Sequence, residues 1–439
     1  MVLHPRLARL VIAVSAGLLI GYACVWASVS PTSIGRSDFT STYVGATLFR
    51  EGHGSQMYDA SLQTQLHSQV IAPDHVGNLP FVDAPIAAAI AAPVTLLPLD
   101  AAYRVWGIFQ FLTLVAAVIL AVRSARWPKD NWTVWKVATA LAAVAALGSL
   151  SMLMEAQWTG VNALGLALAY RDWRAGRLGR GAVWLVLFAG VAKPHLALGL
   201  VAFALGWRDR RIVQGAVLGA IGVAVVSVAI VGTGGVAGFV HLVALSSTQF
   251  APSAFVGIYG LTGVILGNGA PGEILWLAGA VAACVIAWLA GAAVRSDRSR
   301  LEVGLTVAAL ATILATPHAY VHDLVLLAPM FVWAMADARV RDAASLGQTR
   351  RATVLVLGCW FTLSIAELLS LAGGPLAAVL GGPIAAGAVV PEVLIAFAVV
   401  AAVVTLRGSR KQAVLPGSPR ARRAHGADLT LTLSEPGSS

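Results

Sequence analysis

The chain has 439 residues, of which 58% are hydrophobic and only 11% are charged. Soluble domains carry about 25% charged residues, so the charges here are too few to solvate the surface of a soluble protein. The net charge of +10 does not indicate nucleic-acid binding, because the basic residues lie in short segments between long apolar runs. Lysine and arginine in such segments mark the cytoplasmic side of a membrane. We therefore expect membrane lipids, and no nucleic acid, as partners.

Apolar runs rich in Ala, Val, Leu and Gly recur along the chain, and many reach the ~20 residues that a helix needs to cross a bilayer. Inside lipid the backbone has to satisfy its own polar groups, so these runs are predicted to be helices. The sequence predicts an all-α polytopic membrane protein with about twelve transmembrane helices. In chain order they lie at 8–29, 101–122, 137–154, 157–170, 181–192, 196–207, 212–231, 274–294, 301–316, 324–336, 352–371 and 391–406.

Three apolar segments are shorter than a span and lie at 84–97, 254–267 and 376–386. Runs of this length are typical of re-entrant or interfacial helices, which we place on the outer face. Residues 1–407 are expected to form a single transmembrane domain. Residues 408–439 are basic and then rich in Pro, Gly and Ser, which predicts a disordered cytoplasmic tail.

The basic residues agree with this order of spans if both termini are cytoplasmic. The predicted inner segments then hold nearly all of the 30 lysines and arginines, as the positive-inside rule requires. The exceptions are Arg36, Arg50, Arg104 and Lys193. A wrong number of spans would scatter the basic residues over both faces.

Segment 181–206 is bounded by Arg180 and Arg208, which both lie on the inner side by charge. It is therefore predicted to cross outward and return as two short helices. Pro194 is a natural break between them, and this places Lys193 at the outer turn. The alternative is one tilted helix with a buried lysine, which would invert every later loop.

The first outer loop, 30–83, is the longest polar segment and a candidate for function, since long loops between rigid elements often carry function. Its acidic residues are Asp38, Glu51, Asp59, Asp74 and Asp83.

A second polar cluster, residues 316–323, connects two spans on the same face. His318 and His322 are four positions apart, so one helical turn would place both on one face. That spacing supplies half of a metal site at most, and no cysteine or carboxylate follows at ligand spacing. We therefore expect neither a metal nor another cofactor. The pair either caps helix ends or contacts an anionic or hydroxylated substrate.

Three further polar residues are candidates for a cavity on the outer side. Glu155 and Gln157 form an outer turn, and an ionised group facing lipid would be costly. Lys193 is the only lysine outside the predicted inner loops and tail, and a cation there suits a lipid phosphate. The alternative is that Lys193 snorkels and only anchors its helix.

The order of several short motifs resembles that of glycosyltransferase family 87, bacterial membrane enzymes with the GT-C fold. The resemblance covers roughly residues 5–406. The motifs are Ser37-Asp38-Phe39, Tyr43-Val44-Gly45-Ala46, Gly52, Met57-Tyr58-Asp59, Pro80-Phe81-Val82-Asp83-Ala84-Pro85, Leu97-Pro98-Leu99, Trp106, Gln157 with Asn162, Lys193-Pro194 and Pro317-His318. Family members usually have paired prolines where this chain has Asp83-Ala84-Pro85.

The resemblance implies a polyprenyl-phosphate-sugar donor, with mannose as the first candidate sugar, and a lipid-linked or cell-envelope glycan acceptor. It implies catalysis on the extracytoplasmic face of the plasma membrane, with Asp38 as the catalytic carboxylate after the first span. It also points to the outer histidines, and leaves open which of His318 and His322 contacts the donor. The residues expected to bind substrate are Lys193, His195, His318, His322, Glu155, Gln157, Asp59 and Asp83. The alternatives are a pentosyltransferase, such as an arabinosyltransferase, of the same architecture and, in another class, a lipid or glycan transporter.

Overall fold

The computed structural model describes residues 5–72, 79–128, 132–246, 251–267, 269–344, 351–371 and 385–412. Throughout these ranges the regular secondary structure is helical. The first nine α-helices are α1 Pro5–Ala27, α2 Pro31–Gly35, α3 Phe39–Arg50, α4 Ala60–Val70, α5 Pro85–Ala91, α6 Leu99–Ser124, α7 Trp132–Val144, α8 Leu147–Glu155 and α9 Thr159–Arg174. The others are α10 Leu178–Val191, α11 Leu198–Trp207, α12 Arg210–Ser246, α13 Ile258–Leu266, α14 Ala270–Ser296, α15 Leu301–Ala315, α16 Leu327–Ala344, α17 Arg351–Leu371 and α18 Val390–Gln412.

Six helical segments in the described residues are long and apolar enough to cross a membrane, or seven if the bent pair α7–α8 forms one span. The chain is therefore a multi-pass membrane protein. The prediction of an all-α fold is confirmed. The number of about twelve crossings stays a prediction, because helices such as α9, with 16 residues, and α10, with 14, are shorter than a usual span.

The segments predicted to be re-entrant or interfacial contain short helices. Segment 84–97 forms α5 and a 3₁₀ helix at Ala92–Leu96, and segment 254–267 contains α13. Most of segment 376–386 lies outside the described residues, as does the predicted tail from residue 413. The helix before that tail, α18, continues to Gln412. The orientation of these segments in the membrane stays a prediction.

Segment 181–206 is divided as the proline predicts. α10 ends at Val191, Lys193 has a non-helical backbone, and a 3₁₀ helix at Pro194–Ala197 leads into α11. The two helices have different main partners: α10 packs against α9 and α12, whereas α11 packs against α14 and α15. Lys193 therefore lies where two helix pairs diverge.

Ion pairs mark one end of the bundle. Asp172, near the end of α9, accepts hydrogen bonds from Arg177 and Arg180, which belong to the α9–α10 turn and the start of α10. Arg174 lies 2.5 Å from Glu302, so the start of α15 is at the same end. Arg174, Arg177 and Arg180, all predicted to be inner, thus lie at this end, and the opposite end of α9, at Thr159, faces the site described below.

α15 lies at the centre of the helix bundle. Every one of its residues from Leu301 to Ala315 is buried. Its neighbours are α11, α14, α16 and α18. Because the loop after α15 carries His318 and His322, the most enclosed helix of the described chain positions one side of the candidate site.

Candidate active site

Asp38 stands at the N-terminal boundary of α3 and is held by the segment that follows α8. Its backbone N–H donates a hydrogen bond to Oε2 of Glu155 at 3.0 Å, and Nε2 of Gln157 donates to its carboxylate. The residue between the two partners, Ala156, has a left-handed backbone with φ of 46°. This turn brings both side chains to Asp38. All three polar side chains are half-buried, so the Asp38 carboxylate is positioned and still accessible.

A second group is centred on Asp323, which is fully buried. Its Oδ1 atom lies 2.8 Å from Nζ of Lys193 and 3.0 Å from the hydroxyl of Thr159. Nζ of Lys193 is also 2.9 Å from Nε2 of His322. The other carboxylate oxygen accepts the backbone N–H of Tyr320. Lys193 is 8% exposed and His322 4% exposed, so this cation is paired and largely removed from solvent.

Asp83 is close enough to both groups for their charges to affect its pKa. Its partial burial raises the pKa of its carboxyl to about 7, Lys193 opposes the rise, and the negative charges of Asp38 and Asp323 add to it. The hydroxyl of Tyr58 donates to the backbone carbonyl of Asp83 at 2.6 Å and fixes the loop. No described residue donates a hydrogen bond to the Asp83 carboxylate, which is therefore free to bind another molecule.

The two histidines of the 316–323 cluster occupy different environments. The expected helical turn is not formed: a 3₁₀ helix begins only at Val321, so His318 precedes it. His318 packs edge-on against Phe255, with ring centroids 5.1 Å apart, and burial lowers its pKa. His322 contacts Lys193 directly. The i, i+4 spacing therefore does not place the two rings on one helix face, because the chain enters the 3₁₀ helix between them.

His195 and Asp59 complete the predicted set. The backbone carbonyl of His195 accepts the hydroxyl of Thr316 at 2.9 Å, and its Nε2 atom is buried without a partner among the described residues. The structure does not bring Asp59 into the group. Its carboxylate caps α4 by accepting the N–H groups of Ser61 and Leu62, and the residue is exposed.

Sequence reasoning did not single out Asp323, Thr159 or Tyr320. A signal was present for Asp323, which directly follows His322 and opens a long apolar run. An ionised carboxylate at the start of a membrane-spanning segment has a high free-energy cost unless it is paired. The lysine that pairs with it lies 130 positions earlier, too far for any local pattern to reveal.

Residues 81–317 match the model of glycosyltransferase family 87, which covers more than half of the chain. The chain belongs to glycosyltransferase family 87. No curated protein and no solved structure matches it. Family 87 membership makes the protein a glycosyltransferase, which uses a sugar donor and an acceptor, and confirms the resemblance seen in the sequence.

The region matched to family 87 covers one part of the site more fully than the other. It contains Asp83, Glu155, Gln157 and Lys193, whereas Asp38 precedes it and the histidines of the 316–323 cluster follow it. The match itself says nothing of Asp38, His318 or His322, so the evidence for their roles is their contacts with residues inside the match. Asp38 has such contacts with Glu155 and Gln157, and His322 has one with Lys193.

Proposed function

We propose that the protein transfers a sugar, with mannose as the first candidate, from a polyprenyl-phosphate donor to a lipid-linked or cell-envelope glycan acceptor. The reaction takes place on the extracytoplasmic face of the plasma membrane. One observation carries the proposal: an accessible carboxylate, Asp38, and a buried cation, Lys193, both interact electrostatically with the same carboxylate, Asp83, at the end of the bundle opposite the turn that holds Arg177 and Arg180. This arrangement suits a reaction in which a proton and an anion leave on different sides of a sugar.

Asp38 is the general base. It takes the proton of the acceptor hydroxyl while that oxygen forms a bond to C1 of the donor sugar. The bond between C1 and the phosphate oxygen breaks, and its electron pair leaves with the polyprenyl phosphate. The base and the leaving group are on opposite faces of the ring, so the configuration at C1 inverts. Gln157 and Glu155 orient the base through the hydrogen bonds to its carboxylate and its backbone.

Lys193 and His322 stabilise the phosphate that leaves. A cation in a site sheltered from water stabilises a developing anion more strongly than it would in solution. Asp323 holds the lysine in place and leaves it donors for an incoming phosphate, since an ammonium group has three. His195 and His318 lie in the adjoining segments and complete this side of the proposed site.

Asp83 binds sugar hydroxyls. Its carboxylate receives no hydrogen bond from the part of the chain that the structure describes, and a carboxylate accepts hydroxyl hydrogen bonds well. Glu155 and Gln157 have the same capacity through the oxygens not used at Asp38. A pentose donor such as an arabinosyl phosphate would use the same base and the same cation, so the sugar is the open part of the proposal. Asp59 caps α4 and is proposed only as a contact of the acceptor.

The test is lipid-glycan mass profiling of a deletion strain complemented with wild type and with Asp38→Asn. Wild type should restore a product heavier than its precursor by the mass of one hexose, and Asp38→Asn should leave the precursor. An increment of one pentose would assign the alternative donor. An unchanged profile in the deletion strain would contradict the proposed acceptor class.

A further inference from the structure

The break between α7 and α8 is held by side chains from other helices. The two helices are bent by 45° relative to each other. A break at membrane depth leaves backbone groups without helical partners, and these have to be satisfied within the protein. The Tyr22 hydroxyl donates to the carbonyl of Ala145 at 3.0 Å, and Nε1 of Trp360 donates to that of Ala142 at 3.1 Å. Two of the carbonyls near the bend therefore have side-chain partners.

Glu367 of α17 satisfies the opposite side of the break. Its Oε2 atom accepts the backbone N–H of Gly148 at 3.0 Å, and the N–H of Leu147 is a second partner. The residue is 1% exposed. α8 has no side-chain cap from its own N-cap residue, Ala146, so an oxygen of Glu367 serves as the acceptor for its first backbone N–H groups. A buried side chain from a distant helix thus fixes the start of α8.

α8 connects the two halves of the candidate site. Its last residue, Glu155, and nearby Gln157 hold Asp38. Its first turn packs against the 3₁₀ helix Val321–Leu326, which carries His322 and Asp323. The approach is close enough that a Cβ atom on Gly148 would lie 2.9 Å from the carbonyl oxygen of Val321. The position of α8 therefore determines both halves together.

We propose that Glu367 is a positioning residue for the transfer reaction, because it fixes the place of α8 between Asp38 and the Lys193–Asp323 pair. This inference depends on the proposed function. Glu367 touches no substrate and acts through α8 alone. A misplacement of about 1 Å in groups around a reacting centre can lower the rate on the order of 100-fold, so loss of this contact should affect turnover more than folding.

The experiment compares Glu367→Gln, Glu367→Asp and Glu367→Ala as purified enzymes. Glutamine keeps an acceptor oxygen at the same reach, and its kcat should stay within about threefold of wild type. Aspartate is one methylene shorter and alanine has no acceptor, so both should lose roughly 10–100-fold in kcat. If aspartate retained more activity than glutamine, charge rather than reach would matter, and the proposal would be overturned. This comparison stands even if the alanine variant does not fold.

Glu302→Ala is the matched control. Glu302 is also a buried carboxylate, but it pairs with Arg174 and Tyr170 at the other end of the bundle. Its loss should lower the thermal stability while kcat per folded enzyme stays at the wild-type value. An equal fall in kcat for Glu302→Ala, or a wild-type kcat for folded Glu367→Ala, would overturn the inference. Asp38→Asn is measured in the same assay, so that a failure of this inference can be told from a failure of the proposed function. If Asp38→Asn is inactive and Glu367→Ala has normal activity, only the role of Glu367 is contradicted.

Discussion

The Nζ atom of Lys193 lies 2.8 Å from Oδ1 of Asp323, although the two residues are 130 positions apart and both are buried. Removing one partner of a buried ion pair leaves an uncompensated charge and destabilises a protein by about 3–5 kcal/mol. Lys193 therefore has two separable roles, one in the fold and one proposed for the donor phosphate. A single alanine substitution would disturb both.

Lys193→Ala should weaken binding of the donor, and Lys193→Arg should retain more of it. A charged hydrogen bond contributes roughly 1.5–3 kcal/mol, which corresponds to about one to two decades in the dissociation constant. The double variant Lys193→Met with Asp323→Asn controls for stability, since it removes both charges. It should unfold near the wild-type temperature and still bind the donor weakly. Equal donor affinity in all of these proteins would make Lys193 an anchor of its helix only.

Asp38→Asn should keep the fold and lose most of the transfer activity. Asparagine can still accept the hydrogen bond of Gln157, but it does not take a proton, and general-base help contributes about 10²–10⁴-fold. The measurement is turnover by purified protein with donor and acceptor saturating. Asp100→Asn, at an exposed aspartate at the start of α6, is the control and should behave as wild type. Turnover near the wild-type rate in Asp38→Asn would remove this residue as the base.

Asp83→Asn should stabilise the unliganded protein at neutral and alkaline pH. The pKa of Asp83 is raised to about 7 in the folded state, so folding favours the protonated form. The protonated Asp83 side chain therefore contributes to the free energy of unfolding at low pH, and this contribution is lost as the pH rises through about 7. The stability gained by Asp83→Asn should therefore grow between pH 4 and 7 and then level off. Thermal unfolding over pH 4–8 measures it, with at most about 1.4 kcal/mol for each pH unit. A constant difference over this range would contradict the raised pKa.

Accessibility mapping should place Ser55 and Pro194 on the outer face and Gly176 and Arg211 on the inner face. The motivation is the gathering of arginines at one end of the bundle. Single cysteines at these positions, in a chain whose Cys24, Cys284 and Cys359 are replaced, can be labelled by an impermeant thiol reagent in intact cells. Labelling of position 194 only after permeabilisation would contradict the outward turn and remove Lys193 from the outer face.

Transfer should continue in the presence of a chelator of divalent metals. The proposed donor has a single phosphate and no nucleotide diphosphate, and the described residues contain no group of three or more metal-binding side chains in ligand geometry. Activity in chelator is compared with activity after each metal is added back. Loss in chelator with recovery on one metal would make His318 and His322 candidates for a metal site.

Much of the fold follows from the sequence because helices in lipid are specified locally. Apolar length and basic flanks predicted the helices, and Pro194 predicted the division between α10 and α11. The bend between α7 and α8 was not predicted, because segment 137–154 contains no proline. The side chains that satisfy the backbone at this bend come from α1 and α17, which become neighbours of α7 and α8 only in the folded bundle.

The site was predictable in its residue types more than in its contacts. Asp38 was a candidate through the resemblance to family 87, Lys193 because it is a lone cation on the predicted outer face, and His322 because it belongs to a polar cluster between two spans. Asp323 was missed as the centre of the buried group, since its importance comes from contacts with Lys193 and Thr159, which are both more than 100 positions away in the chain. Asp59 was a candidate from the first outer loop, and the structure gives its carboxylate a capping role that any loop aspartate can have.

The enclosure of α15 has a consequence for the order in which the molecule assembles. α15 leaves the ribosome before α16 and α18, which cover part of its surface. Until they arrive, a 15-residue helix that carries Glu302, Thr306 and Thr312 has neither the length of a stable span nor its final neighbours. A chain that stops after Ala315 should therefore be recognised by quality-control proteases as unfinished. Radiolabelled nascent chains of increasing length should become protease-resistant only when the last helices have been made.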